Sequence, residues 1–374
     1  MTTDTEYMQR ALRLAEKGRY TTDPNPRVGC VIVNGGRVVG EGWHRRAGEA
    51  HAEVNALAQA GAQSQGATAY VTLEPCSHTG KTPPCADALV EAGVKRVVAA
   101  MQDPNPLVAG QGLAKLAAQG IEVESGLLEA QARELNPGFI RRMESGRPYV
   151  RVKFGMSLDG RTAMASGESK WITGEAARRD VQFMRAGSSA ILTGSGTELA
   201  DDPSMTVRLG ADELGIDEPV RQPVRVVIDS GLRTPPSAKI LAGPGECWLL
   251  TTEQAAASAN VAGYHGACIK TVATGQHDQL DLAAVMQFLA AQEVNLVHVE
   301  AGAKLCGALL QAKLVDEIVL YMAPVIMGDD ARGLFHLPGL TQMKDRLALD
   351  VSDIRTIGKD LRITALPVYE NSLP

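Results

Sequence analysis

The chain has 374 residues, 45% hydrophobic and 21% charged, with a formal net charge of −6, and that length has room for two hydrophobic cores. The negative balance and an aromatic content of only 4% exclude the basic footprint and stacking platforms of a nucleic-acid binder. No apolar run reaches 18 residues and no charged-then-apolar leader opens the chain, so no membrane partner and a cytoplasmic location are expected.

Residues 5–17 read as an amphipathic helix with Tyr7, Met8, Ala11, Leu12 and Ala15 on one side. The turn-rich run Thr22-Asp-Pro-Asn-Pro-Arg27 follows. Segments 28–33 and 37–42 then form a hairpin around Asn34-Gly35-Gly36. Helix 52–61, strand 69–73, helix 84–92, strand 94–100, helix 111–119 and strand 120–124 come next. Their short links imply helices packed against one central sheet. A helical tail through 129–135 and 139–142 leads to the polar turn Glu144-Ser-Gly-Arg-Pro148. That turn is the expected boundary, with one domain over 1–146 and a second over 147–374.

The chemistry of the first half lies in His51-Ala52-Glu53, Pro75-Cys76 and Pro83-Pro84-Cys85. One imidazole and two thiols suit a catalytic zinc, because three protein ligands leave the fourth tetrahedral position open to water. Glu53 is not needed to hold the metal. A carboxylate there can take a proton from water and hand it to a leaving amine. On a regular helix His51 and Glu53 would point to nearly opposite sides, so both can serve one metal only where a helix is just beginning. The prolines before Cys85 suit a first helical turn, whose partial positive charge favours a thiolate. A closed zinc knot and a pair of unrelated core cysteines are the bland alternatives. The order of the three motifs, with a strand-like run between them, weighs against both.

His-x-Glu followed by Pro-Cys-x-x-Cys marks zinc deaminases that act on bases. Here eight residues, Ser77 to Pro84, separate the two cysteines. The insert Cys76-Ser-His-Thr-Gly-Lys-Thr-Pro-Pro-Cys85 resembles the pyrimidine deaminases of the riboflavin pathway. That resemblance implies that His51, Cys76 and Cys85 hold zinc and that Glu53 shuttles protons. Asn25, His44, His78 and Lys81 lie near the ligands in sequence, as base or phosphate contacts or as polar loop residues in water. Cys30, Cys247, Cys268 and Cys306 sit in apolar runs and read as reduced, buried thiols.

The second half opens with Tyr149-Val-Arg-Val-Lys-Phe154, alternating apolar and basic residues as a half-buried strand does. Gly155-Met-Ser-Leu-Asp-Gly-Arg161 follows, then helix 175–185, strand 189–193, the turn Gly194-Ser-Gly-Thr197 and Leu199-Ala-Asp-Asp-Pro203. Strands at 224–229, 246–251, 268–272, 295–299 and 316–322 with helices at 281–291 and 303–312 indicate an α/β domain on a largely parallel sheet. Val297-His-Val-Glu300 feeding Ala301-Gly-Ala-Lys-Leu305 ends a strand in a turn of the kind that points backbone donors at an anion, and Gly194-Ser-Gly196 offers a second. Neither is Gly-x-Gly-x-x-Gly, and taken singly each reads better as ordinary loop glycines.

In this order the motifs resemble the reductase domain of riboflavin biosynthesis, which has a dihydrofolate-reductase-like fold and uses NADPH. The whole chain resembles the bifunctional riboflavin-pathway deaminase–reductase family. The fold implied is α/β throughout: a cytidine-deaminase-like α/β/α sandwich followed by a dihydrofolate-reductase-like α/β domain. The family pattern puts NADPH contacts at Gly155, Trp171, Thr197, Asp201, Gly302, Ala303, Lys304 and Leu305. It puts substrate contacts at Ser169, Arg185, Met205, Arg208 and Glu300. Both arginines suit a sugar phosphate, and Trp171 could equally be core packing. The resemblance further implies a small pyrimidine ribosyl phosphate as substrate and a homo-oligomer, dimer or tetramer. A polynucleotide base deaminase would need the basic, aromatic surface this chain lacks. A zinc-stabilised binding module would leave Glu53 and the second half without a role.

Overall fold

The computed structural model describes residues 3–77, 83–106, 108–258 and 263–369. The chain divides into two compact units, Met1–Arg147 and Pro148–Pro374.

The first unit runs α1 (Asp4–Glu16), β1 (Gly29–Asn34), β2 (Arg37–Trp43), α2 (Ala52–Ala60), β3 (Thr68–Val71) and α3 (Cys85–Glu91). It continues through β4 (Arg96–Ala99), α4 (Gln111–Ala118), β5 (Glu122–Ser125), α5 (Glu129–Leu135) and α6 (Pro137–Ser145). Gly35 and Gly36 close the hairpin with φ of 57° and 73°, the left-handed pair that a two-residue turn between twisted strands demands. The sheet order is β2-β1-β3-β4-β5, antiparallel at β1 and parallel from β3 to β5. Alternation along β1 sends Cys30 and Ile32 to one face, under Ala52, Ala56, Ala86, Leu89 and Leu116 of α2, α3 and α4. Val31 and Val33 face the other way, against Tyr7, Met8, Ala11, Ala132 and Ile140 of α1, α5 and α6. The result is an α/β/α sandwich. α2 can lie close on β2 because Gly42 has no side chain: a Cβ there would sit 2.3 Å from the Ala52 carbonyl oxygen.

The second unit begins β6 (Tyr149–Ser157), β7 (Arg161–Ala163), α7 (Glu175–Ala186), β8 (Ala190–Gly194), α8 (Ser195–Asp201), α9 (Ala211–Leu214) and β9 (Val224–Ile228). Next come α10 (Lys239–Ala242), β10 (Cys247–Thr251), α11 (Glu253–Ser258), β11 (Cys268–Thr271), α12 (Leu282–Ala291), β12 (Leu296–Val299) and α13 (Ala303–Gln311). β13 (Glu317–Ala323), β14 (Arg332–Gly333), β15 (Ala348–Ile357) and β16 (Asp360–Val368) close it. The main sheet is ordered β11-β10-β9-β8-β12-β6-β13-β16-β15. Its strands are parallel through β13, and β16 and β15 add an antiparallel edge. Val150, Val152, Leu192, Val297 and Val299 form one face of the core with Val285, Met286, Leu289 and Leu309 of α12 and α13. On the other face α7 lays Ala177 and Val181 on Val319 and Tyr321 of β13. After β8 the chain steps outward to β9, β10 and β11. After β12, which returns to lie between β8 and β6, it crosses to β13. β8 and β12 are therefore neighbours whose connections leave in opposite directions, and such a reversal opens a crevice at the strands' carboxyl ends.

Three features depart from the sequence reading. The turn expected at 194–197 is the start of α8, which continues to Asp201 and stops where Asp202 turns left-handed (φ 41°) before Pro203. Cys30, Cys247 and Cys306 are buried, but Cys268 is exposed because β11 is an edge strand with a neighbour on one side only. The β15–β16 hairpin has no counterpart in the sequence reading. A register shift between Val351 and Asp353 breaks the alternation of β15, so the period-two pattern by which a strand is recognised is interrupted. Among the described residues no helix is long and apolar enough to cross a membrane.

Candidate active sites

Two helix starts build the first site. His51 is the N-cap of α2, with extended backbone (φ −74°, ψ 168°), and Glu53 lies in the first helical turn. Cys85 is the first residue of α3, after Pro84 as N-cap rather than as part of the helix. Cys76 follows the end of β3, where its sulfur accepts a hydrogen bond from the Cys85 N–H at 3.3 Å. His51 Nδ1 lies 3.2 Å from Cys85 Sγ and 3.6 Å from Cys76 Sγ. All three donor atoms fall within 4.8 Å of one another. A tetrahedral zinc with ordinary Zn–N and Zn–S bonds separates its ligands by about 3.5–3.8 Å, so the donor set and its spacing both fit that ion.

Glu53 is buried, 3% exposed. Burial pushes its carboxyl up to about 7, and the neighbouring Cys76 adds to the effect. The two thiols share a hydrogen bond that draws Cys76 down to about 4 and holds Cys85 far above the ordinary thiol range. A metal here takes both as thiolates. Behind the ligands, His44 packs edge-on against His51 with ring centroids 5.1 Å apart. Its ring nitrogens meet Asn25 Nδ2 at 3.1 Å and the Ala50 carbonyl at 3.2 Å. Asn25 and His44 thus touch each other, while His78 and Lys81 lie outside the described residues.

The second site is the crevice between β8 and β12. α8 starts at its mouth after Gly194 and α13 after Gly302, and neither has a side-chain cap. Thr197 Oγ1 accepts from the Gly302 N–H at 3.1 Å. Leu305 packs against Gly194, where an added Cβ would lie 3.1 Å from Leu305 Cδ2. Ala303 and Lys304 form the first turn of α13. Free N–H groups at a helix start beside a topological reversal suit the pyrophosphate of a dinucleotide, so these residues fit NADPH. Gly155, on β6, faces Thr173. Trp171 is 71% exposed, with the Arg178 guanidinium 4.5 Å over its ring, which rules out core packing. Asp201 ends α8 in solvent.

Next to the crevice is a charged cluster. Arg185 Nε donates to Glu300 Oε1 at 2.6 Å and its Nη1 donates to the Thr206 carbonyl at 3.0 Å. Lys153 Nζ lies 3.5 Å from Glu300 Oε2, and the fully buried His298 places Nε2 3.3 Å from Oε1. Desolvation opposes the Glu300 charge, but Arg185 and Lys153 overcome it and hold the carboxyl well below its usual range. Met205 is buried with φ of 50°, Ser169 is half-buried and Arg208 is exposed. Sequence reasoning missed Lys153 and His298. The available signal was register: Arg151 and Lys153 share one face of β6, where β12 sets His298 opposite Arg151.

Comparison with known proteins finds a match for each half of the chain. Residues 1–101 match the cytidine and deoxycytidylate deaminase zinc-binding region, and residues 148–363 match the RibD C-terminal domain. The riboflavin biosynthesis protein RibD of Escherichia coli K12 is 54% identical over 96% of this chain and 98% of its own length. The chain belongs to the RibD family. It is a bifunctional deaminase and reductase of riboflavin biosynthesis, with zinc serving the first activity and NADPH the second. The structure of Acinetobacter baumannii RibD superposes with a TM-score of 0.88 at 45% identity, covering 98% of this chain and 99% of that one. A Thermotoga maritima deaminase and reductase superposes with a TM-score of 0.83 at 32% identity, covering the same shares.

Proposed function

We propose that the deaminase occupies residues 1–146 and the reductase residues 147–374. The first reaction converts 2,5-diamino-6-(5-phosphoribosylamino)pyrimidin-4-one to 5-amino-6-(5-phosphoribosylamino)uracil. The second reduces the ribosyl group of that product to ribityl. The observation that carries this reading is one imidazole and two thiols within 4.8 Å, with a buried carboxylate beside them.

In the deamination, water adds to the ring carbon bearing the amino group, ammonia leaves and a carbonyl remains. Zinc supplies the Lewis acidity that makes water nucleophilic at neutral pH. Glu53 takes a proton from that water and delivers it to the departing amine. Its burial raises its carboxyl above the ordinary carboxylate range, which favours holding the proton between the two transfers. His51, Cys76 and Cys85 hold the metal, and His44 braces His51.

In the reduction, NADPH supplies a hydride to C1 of the ribosyl group. A proton ends on the former ring oxygen, and the ring becomes an open chain. Gly155, Trp171, Thr197, Asp201 and 302–305 cradle the cofactor. Ser169, Arg185, Met205, Arg208 and Glu300 line the substrate. Two of the three Arg185 nitrogens are engaged by Glu300 and Thr206, so Arg185 aims Glu300, and the exposed Arg208 meets the phosphate. Incubating the protein with the diaminopyrimidine phosphate, with and without NADPH, tests the scheme. Ammonia release should not require NADPH, and NADPH oxidation should follow it; absence of either step refutes the corresponding half.

A homo-oligomer in the cytoplasm completes the proposal. Leu349, Val351 and Ile354 of β15 are exposed along an edge strand, a surface that proteins ordinarily cover. Sedimentation showing a monomer at all concentrations would refute association, and cell fractionation tests the location.

A further inference from the structure

Glu74 has no part in either reaction as described, yet it is among the most fully engaged carboxylates of the first unit. It is 3% exposed and stands two residues before Cys76. Its Oε2 accepts from the N–H groups of Asp103 at 3.1 Å and Gly110 at 2.9 Å. Its Oε1 accepts from those of Gly112 at 2.8 Å and Leu113 at 3.3 Å. The Glu74 N–H in turn donates to the Met101 carbonyl at 3.0 Å. One carboxylate thus gathers Asp103, after β4, and the first turn of α4, whose N-cap Gly110 has no side chain to offer. The run Asp103-Pro-Asn-Pro106 has the same sequence as Asp23-Pro-Asn-Pro26, and its first residue is one of the four N–H donors to Glu74.

The anchor reaches the metal ligands through the next residue. Gly112 lies so close beneath Pro75 that a Cβ would come within 1.9 Å of the Pro75 carbonyl oxygen. On its other side Cys76 is held by α3, its carbonyl accepting from the Ala86 N–H at 3.1 Å and its sulfur from the Cys85 N–H at 3.3 Å. Cys76 therefore stands between two helix starts. Its bond to α3 ties it to Cys85, the other sulfur ligand, and Glu74 ties the same loop to the sheet and α4.

We propose that Glu74 is a positioning residue for the metal centre: by fixing Asp103 and the start of α4 against Pro75 it sets where Cys76 presents its sulfur. The proposal rests on the zinc reading of His51, Cys76 and Cys85. Glu74→Gln keeps the shape but replaces one acceptor oxygen with a donor facing N–H groups that are themselves donors. Loss of an outer partner of a metal ligand typically weakens metal binding about 10–100-fold.

The test uses the full-length chain and three readouts: zinc affinity by competition with a chromophoric chelator, the thiolate absorption of the cobalt(II) form, and urea stability. Wild type should bind about one zinc per chain; if it does not, the zinc reading itself fails, whatever Glu74 does. Glu74→Gln should raise the zinc Kd by about 10–100-fold and shift the cobalt spectrum. Leu116→Ala, in the buried core of the same helix, serves as the control, expected to lose stability while keeping wild-type affinity and spectrum. Should Glu74→Gln be insoluble, Glu74→Asp, which keeps the charge and shortens its reach, is read against the same control. Wild-type affinity and spectrum in the Glu74 variant, or an equal loss of affinity in Leu116→Ala, would make Glu74 an ordinary helix anchor and overturn the proposal.

Discussion

Glu53 and the proposed ligand His51 make different demands on the same helix start, and substitution separates them. Glu53→Gln should retain about one zinc per chain and lose about 10²–10⁴-fold in deamination. Metal analysis and ammonia release check this, and wild-type turnover would remove Glu53 from the mechanism. In the reductase the two arginines should part company. Arg208→Ala should raise KM for the phosphorylated substrate roughly ten- to a hundredfold, the loss of one charge-assisted contact. With the dephosphorylated substrate, wild type and variant should be equally poor. Arg185→Ala leaves Glu300 with Lys153 and His298, so kcat should fall more than KM rises; a pure KM effect would return Arg185 to the phosphate. The proposed zinc ligands, which the structure brings within 4.8 Å of one another, were legible from sequence because each sits beside a proline or within His-x-Glu. Lys153 was not, since a basic residue on an alternating strand looks like solvent exposure until β12 is laid beside it.

Close approach of backbone decides the geometry at the scale of elements. Gly42→Ala would push Ala52, the first residue of α2, away from β2, carrying His51 and Glu53 with it. Overpacking of this kind costs about 1–3 kcal/mol, visible as a lower urea midpoint, and deamination should fall while hydride transfer is spared. In the second unit Asp159 staples the end of β6 to the loop after β13. It accepts from Ser157 Oγ at 2.5 Å, Met327 N at 3.1 Å and Gly328 N at 2.8 Å. The Ser157 bond above all brings its carboxyl down to about 2 from 3.8. Because the folded value is depressed, the contribution to stability is complete above the unfolded value and fades as pH falls through about 2. The stability gap between wild type and Asp159→Asn, followed by urea unfolding from about pH 5 to about pH 2, should therefore narrow; parallel curves would show the staple contributes nothing. Element types were readable where periodicity is strong, as in α1 and β6. The insertion of β12 between β6 and β8 was not, because pairing between strands so far apart in sequence leaves no local trace.

At the scale of the whole chain the two activities should separate. The proposed metal ligands lie before residue 86 and the proposed NADPH contacts at or beyond Gly155, in separate compact units. Exhaustive chelation should abolish ammonia release and leave NADPH oxidation intact when the deaminated aminouracil is supplied. Metal loss can loosen its own unit, since binding free energy contributes to folding, but the second sheet has its own core. Parallel loss of both signals, restored by zinc, would refute the division of labour.

The position of β12 also governs the order in which the protein can be made. β12 bonds to both β6 and β8, so the whole stretch from 158 to 295 must be synthesised before either strand meets that partner. The chain emerges at about 5–20 residues per second. For that interval β6 and β8 each present an unpaired apolar edge, the kind of surface through which nascent chains aggregate. The deaminase sheet, complete by Ser125, has no such wait. A ribosome carrying this message should thus hold a finished metal site beside an unfinished reductase, whose cofactor crevice comes into being only when its last wall, β12, slides into place.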